Sequence, residues 1–377
     1  MHYNIQEPDP HECERMRRRM NRIQNRKILP KGTFIGKYEI EACIGRGGFG
    51  DIYGVKIPGD SKIYAIKIED RYNDKNKKKK LKRLSLFKEI QYVKELQDSL
   101  DIARYVDSGA TDKYLYIVME LLGPSLSNTR REVSHQKFSL STTLRLGIKM
   151  LRIIQHIHRH GYVHCDIKPG NFLLRPDCLH FLVLVDFGLM RRYIDSETKT
   201  HIEMEYDIGF NGTLKYCSPN SMVGNTLSRR DDLYSWIYSL YELKNGHLPW
   251  EGEKKDEMMR LKLQFSKSSY FNTLPIELQE IHQYISLLNF DEEPNYDWII
   301  DSILKAMNRK KINTTDPFDW EKLSCNHILS FSPIAELPKA TWCRVENPNP
   351  ILSRPGQPNY SRIRNKLCHL CCVCYYT

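Results

Sequence analysis

Apolar and polar positions alternate through YEIEACIGRGGFGDIYGVKI, residues 38–57, on both sides of a glycine cluster. A period of two marks a half-buried strand and the glycines mark a tight turn, so the stretch predicts two strands joined as a hairpin. KIYAIKIED, residues 62–70, alternates again and predicts a third strand. In LSLFKEIQYVKELQ, residues 84–97, the period changes, and Leu86, Ile90, Val93 and Leu96 fall on one face of a helix. YLYIVMELLG, residues 114–123, returns to strand.

Beyond Gly123 the helical period dominates. STTLRLGIKMLRIIQHIHRHG opens on hydroxyl residues suited to an N-cap, carries an apolar stripe through Leu144, Ile148, Leu151 and Ile154, and stops at Gly161. DDLYSWIYSLYELKNG repeats the design and ends at Gly246. The order predicts an α+β chain, with a small strand-rich lobe over residues 38–122, a larger helical lobe over 123–323, and a cleft at their junction. Residues 1–36 are charged, punctuated by proline and aperiodic, and are expected to form a flexible arm. From about residue 324 to 377 prolines multiply and periodicity fades, which predicts an extended tail. No internal repeat is visible.

Composition narrows this picture little. Of 377 residues, 41% are hydrophobic and 11% aromatic, enough for a sizeable core, and no run approaches the roughly 18–20 apolar residues of a membrane-spanning helix. The first residues are polar and then basic, without a signal pattern, so a cytoplasmic or nuclear location and reduced thiols are expected. The net charge of +11 is concentrated in RMRRRMNRIQNRK, Arg15–Lys27, and KNKKKKLKR, Lys75–Arg83. Such clusters attract polyanions or serve as import signals, and they also occur as plain solvated faces. Neither interleaves aromatics, so no dedicated nucleic-acid-binding surface is expected.

Three stretches carry candidate chemistry. In GRGGFG the backbone at Gly45, Gly47 and Gly50 can approach a phosphate closely and aim N–H groups at it. A dinucleotide fold uses the same spacing, and Glu69 and Asp70 lie where its ribose-binding acid is sought, but there a helix follows the glycines and here a strand is predicted. A hairpin without ligand is the other reading. Lys67 sits in an apolar strand and, if buried, needs a carboxylate; Glu89 on the next helix is the candidate, and an exposed strand lysine is the alternative. The third stretch, HCDIKPGN at 164–171, packs an acid, a lysine and an amide into one turn, and VDFGL follows at 185–189.

HCDIKPGN resembles the catalytic loop of eukaryotic protein kinases, and VDFGL resembles their magnesium-binding loop. The resemblance implies a bilobal protein kinase fold, with a small antiparallel-sheet N-lobe and a mainly helical C-lobe, and ATP and Mg2+ as cofactors. It implies that Asp166 accepts the substrate hydroxyl proton, that Lys168 neutralises the γ-phosphate, and that Asn171 and Asp186 hold the metal. Thr213 would bond near Asp166, and Asp232 would anchor the catalytic-loop backbone, a role compatible with capping a helix. Nucleotide-binding positions implied by the same likeness are Ile44, Gly45, Arg46, Gly47, Gly48, Phe49, Gly50 and Ile52 in the hairpin. Ala65, Lys67 and Glu89 follow, then Met119, Glu120 and Leu122 in the hinge, and Leu174 below. Lys168 two residues after the acid is the serine/threonine pattern.

MELLGPSL, Met119–Leu126, resembles the hinge of the casein kinase I family with Met119 as gatekeeper. Leu140–Gly147 and DPFDWE, Asp316–Glu321, look more like the tau-tubulin kinase branch of that superfamily. GTLKYCSPNSM, from Gly212, and RRDDL, Arg229–Leu233, also match, and the likeness runs from about residue 38 to 323. Protein substrates, acidic or pre-phosphorylated ones among them, and a monomeric catalytic domain are the expected partners and state. Lys215 keeps charge near the activation segment, yet Asn211 is neutral where relatives can carry arginine, which weakens that bias. Cys165 replaces the arginine that a phosphorylated activation loop usually engages, so activity without such phosphorylation is expected. The thiol reads as a small packing residue, with a redox switch as the alternative. In the tail, Cys368, Cys371, Cys372 and Cys374 lie beside basic residues. That composition suits S-acylation and peripheral membrane anchoring, an unmodified reduced tail, or, with His369, a metal. A pseudokinase, or a basic scaffold binding nucleotide or acidic partners without turnover, is the rival reading of the whole chain.

Overall fold

The computed structural model describes residues 26–48, 50–72, 84–210 and 212–323. Most of the first basic cluster, all of the second, and the cysteine-rich end lie outside the described residues.

Strands β1 (Phe34–Ile35), β2 (Tyr38–Gly47), β3 (Gly50–Lys56) and β4 (Ile63–Asp70) are followed by helix α1 (Ser85–Glu95) and strands β5 (Tyr105–Ala110) and β6 (Tyr114–Glu120). They form one antiparallel sheet in the order β1-β2-β3-β4-β6-β5, with α1 packed against β4, β5 and β6. Alternation does the work predicted for it: Ile40, Tyr53, Val55, Ile66 and Val118 meet in the sheet's own core. Leu86, Ile90 and Val93 turn the apolar stripe of α1 inward.

The helical lobe contains α2 (Leu126–Glu132), α3 (Leu140–Arg159), strands β7 (Tyr162–Val163), β8 (Phe172–Arg175), β9 (Cys178–Leu184) and β10 (Arg191–Arg192), then α4 (Pro219–Met222), α5 (Arg229–Asn245), α6 (Lys255–Leu263), α7 (Ile276–Leu287) and α8 (Tyr296–Arg309). Helix α3 starts where the Ser139 hydroxyl accepts from the Thr142 amide, and a left-handed glycine, Gly161 at φ +80°, follows its end. Helix α5 ends on Gly246 at φ +92°, a conformation costly for any residue with a Cβ. These two helices and α8 pack together around fully buried Trp236, whose indole N–H donates to the Gly147 carbonyl at 3.0 Å. No described helix is long and apolar enough to cross a membrane.

One expectation is corrected. Residues 26–36, assigned from sequence to the flexible arm, lie against the sheet. Phe34 and Ile35 pair with Glu39 and Tyr38, and Lys31 reaches buried Glu41 at 2.7 Å. The Leu29 amide donates to the Tyr53 hydroxyl at 3.2 Å. A two-residue strand is too short to display a period, so the sequence pattern passed over it.

Candidate active site

The β2–β3 hairpin overhangs a largely apolar cleft, partly open to solvent, between the sheet and the helical lobe. Gly50 is required by close approach: a Cβ there would stand 2.2 Å from the Ile68 carbonyl oxygen of β4. Ile44, Ile52 and Ala65 line the cleft from the sheet, Leu173 and Val185 from the helical lobe, and Met119, Glu120 and Leu122 from the link between lobes. Arg46 braces the hairpin, with its guanidinium 3.4 Å from Asp51 and donating to the Arg26 carbonyl at 2.6 Å. Gly45 and Gly47 lie in the same paired lip and Gly48 at its turn, while Phe49 lies outside the described residues. Glu120 turns to Arg175, at 2.8 and 3.0 Å, and so ties the link to the larger lobe.

Leu174 is a correction. It is buried in the core of the larger lobe, while its backbone bonds Gly123 and Pro124, and its neighbour Leu173 faces the cleft. Successive strand residues point to opposite faces, so counting by twos from Asn171 selects Leu173. Ala103, Leu121 and Val185 also line the cleft and were not picked out from sequence.

At the rear, Lys67 Nζ lies 2.8 Å from both Glu89 carboxylate oxygens and 2.7 Å from Asp186 Oδ1. Burial alone would strip the lysine of its proton, but the Asp186 and Glu89 carboxylates outweigh it and raise its pKa. Asp186, despite partial burial, is held down to about 2, chiefly by Lys67. Burial pushes Glu89 upward, because the lysine's charge is shared with Asp186. The backbone of Asp186 is left-handed at φ +67°, an uncommon state for a residue with a side chain and frequent at functional sites.

Asp166 is gripped on both oxygens. Lys168 Nζ lies 2.5 Å from Oδ2, and the Thr213 hydroxyl donates to Oδ1 at 2.7 Å. Lys168 also donates to Thr213 Oγ1 at 3.1 Å and lowers the pKa of Asp186, so both acids lie within the field of one ammonium. The Asn171 amide nitrogen donates to the Asp166 carbonyl at 2.9 Å, which leaves its amide oxygen as the atom to offer a cation.

The loop itself hangs from α5. Asp232 accepts from the His164 and Cys165 amides at 2.7 and 2.9 Å and lies 3.0 Å from His158 Nε2, while His158 Nδ1 meets the Tyr296 hydroxyl at 2.6 Å. Burial opposes its charge, but the His158 hydrogen bond and the first turn of α5 keep its pKa low. The capping role falls to Asp231, which accepts from the Ser228 amide at 2.9 Å and the Ser218 hydroxyl at 2.6 Å. The His164 ring closes the network: Nδ1 accepts from the Asp166 amide at 3.2 Å, and Nε2 lies 3.4 Å from the Val185 carbonyl. His158, His164, Tyr296 and Arg175 were all missed from sequence, because a lone histidine or arginine announces no partner.

Burial pushes the Cys165 thiol well above its ordinary pKa, so little thiolate is available and packing is the role its surroundings fit. Lys215, the charge that the sequence keeps near the activation segment, lies 2.8 Å from Glu242 and 2.6 Å from Glu251. Asn211 lies outside the described residues.

Residues 38–316 match the model of the protein kinase domain. A probable serine/threonine-protein kinase of Dictyostelium discoideum is 35% identical over 302 residues, which cover 79% of this chain and 59% of that protein. The chain therefore spans less than two thirds of that relative.

Proposed function

The chain belongs to the protein kinase domain family, and from that premise we propose that it transfers the γ-phosphoryl group of ATP to serine and threonine hydroxyls of proteins. The observation that carries this reading is the clamped Asp166, held by Lys168 and Thr213 in the same cleft system as the Lys67–Glu89–Asp186 triad. Phosphoryl transfer calls for positioning and for compensation of spread negative charge more than for covalent help. Asp166 accepts the hydroxyl proton and aims the oxygen, Lys168 answers charge on the transferring group, and Lys67 steadies the phosphates from the rear. Asn171 and Asp186 offer an amide oxygen and an ionised carboxylate, the hard donors that suit Mg2+, which would neutralise charge between the phosphates.

Three finer readings go with this. The chain sits in the casein kinase I superfamily, nearest the tau-tubulin kinase branch; in support, the two stretches that carry the likeness bond each other, the Asp319 amide donating to the Thr142 hydroxyl at 3.1 Å and Asp316 accepting from the Ser141 hydroxyl at 3.3 Å. Activity does not need activation-loop phosphorylation, since Cys165 provides no cation for a phosphate to order. The bias toward upstream acids or phosphates is weak, because Lys215 is already neutralised by two glutamates.

The test is radiolabelled ATP with magnesium, the full chain and a peptide library. Labelling of serine and threonine peptides, with little dependence on upstream acids, is expected. Asp166→Asn should lower the rate by about 10²–10⁴-fold while nucleotide still binds. Undiminished labelling by the variant, or none by the parent, overturns the reading.

A further inference from the structure

On the face of the molecule behind the cleft, the turn after α1 meets the last turn of α3, and three side chains converge there. Asp98 Oδ1 lies 3.3 Å from His156 Nε2, and Asp98 Oδ2 lies 3.2 Å from His160 Nε2. One ligand-type atom from each residue falls within 4.8 Å of the other two. The histidines are four residues apart, His156 in the last turn of α3 and His160 at its C-cap, so both face the same side of the helix end.

The hydrogen bonds call for a positive centre at this meeting, a proton or a metal ion. His160 Nδ1 lies 2.9 Å from the His156 carbonyl oxygen, which can only accept, so Nδ1 carries the proton. In the neutral ring Nε2 then presents a lone pair to the lone pairs of Asp98, an unfavourable contact unless a positive centre lies between them. His156 Nε2 is sealed from solvent with no hydrogen-bond partner, although Asp98 is within ion-pair distance. One protonated ring would meet Asp98 as an ion pair, whereas protonating both would set two cations at a centroid separation of 4.5 Å. A single divalent ion answers all three groups.

We propose that Asp98, His156 and His160 form a binding site for a divalent transition metal, zinc by preference, that clips the turn after α1 to the end of α3. Two imidazoles and a carboxylate are borderline donors of the kind zinc takes, and the two Asp98 oxygens stand 3.3 and 3.2 Å from the rings, one oxygen to each, so small side-chain shifts bring all three groups onto one ion. The Nδ1 hydrogen bond of His160 fixes the tautomer with Nε2 free to ligate, the usual outer support of a metal-bound histidine. The site also lies at the C-terminal end of a long helix, where carbonyl dipoles favour a cation. Arg159 works against this and limits the affinity. The fourth position is left to water. Because α1 carries Glu89, the partner of Lys67, the clip braces the rear of the nucleotide cleft from outside it.

The test compares the full chain with Asp98→Asn and His160→Gln after chelator treatment and dialysis. Bound Zn2+ and Co2+ are counted and thermal midpoints read with and without zinc. The tail cysteines are common to all three proteins, so the comparison isolates the cluster. The parent should hold one more equivalent than either variant, with a cobalt difference spectrum free of thiolate charge transfer, and zinc should raise the midpoint of the parent alone. Asp98 is 45% exposed, so its variant folds. Equal metal content in all three, or a thiolate band in the difference spectrum, overturns the site and leaves a proton-bridged ion pair.

Discussion

Leu173 and Leu174 are adjacent, chemically identical and opposite in role. Leu174→Ala should cost about 2–5 kcal/mol of stability through the cavity it leaves and hardly change the KM for ATP. Leu173→Ala should raise that KM several-fold at a smaller stability cost, because its side chain faces the cleft. Denaturant melts and initial rates on both variants check the pair; a KM effect confined to Leu174→Ala reverses the assignment. The one-position slip shows what sequence could and could not supply at this scale. Lys67 and Glu89 could be matched in advance, because a buried ammonium demands a carboxylate. The phase of a four-residue strand could not, and neither could the diversion of Lys215 to Glu242, since partners distant in sequence leave no local mark.

At the scale of elements, strands and helices were legible wherever a period ran for several residues, as in β2–β4, α1, α3 and α5. The activation segment has no period, and what holds it had to be seen. Tyr193 donates from its amide to the Gly161 carbonyl at 3.0 Å and from its hydroxyl to the His158 carbonyl at 2.7 Å. Arg191 pairs across to Val163, and the Ile208 amide donates to the Gly224 carbonyl at 2.8 Å. These bonds tie the described parts of the segment to the larger lobe. On the proposal that no loop phosphate is needed, phosphatase-treated protein should keep its rate in the peptide assay, and a collapse would mean that a phosphorylated residue completes the segment after all.

Across the whole molecule, stability carries its own pH dependence. His282 is buried among Tyr234, Tyr238, Phe265 and Phe271, with neither ring nitrogen hydrogen-bonded, and burial pushes its pKa down to about 4. The unfolded chain takes up that proton near pH ~6.5, so folding free energy is complete above that value and falls by on the order of 3 kcal/mol as pH drops to ~4. His282→Phe keeps a ring and removes the titration. Its unfolding free energy should depend less on pH across that window than the parent's, and parallel pH profiles from denaturant melts would exclude His282 as the cause. The other feature with reach beyond its neighbourhood is Arg26, which donates to the Gly47 carbonyl in the lip of the hairpin and lies 3.1 Å from Asp51. The family match begins at residue 38, so a chain trimmed to that start retains the matched residues and loses the strap. Its glycine lip, no longer tethered, should close over nucleotide less firmly: KM for ATP should rise while kcat at saturation holds, and an unchanged KM would show that the lip stands by itself. How tightly this chain grips a phosphate donor would then be set partly by a preamble that the shared domain does not contain.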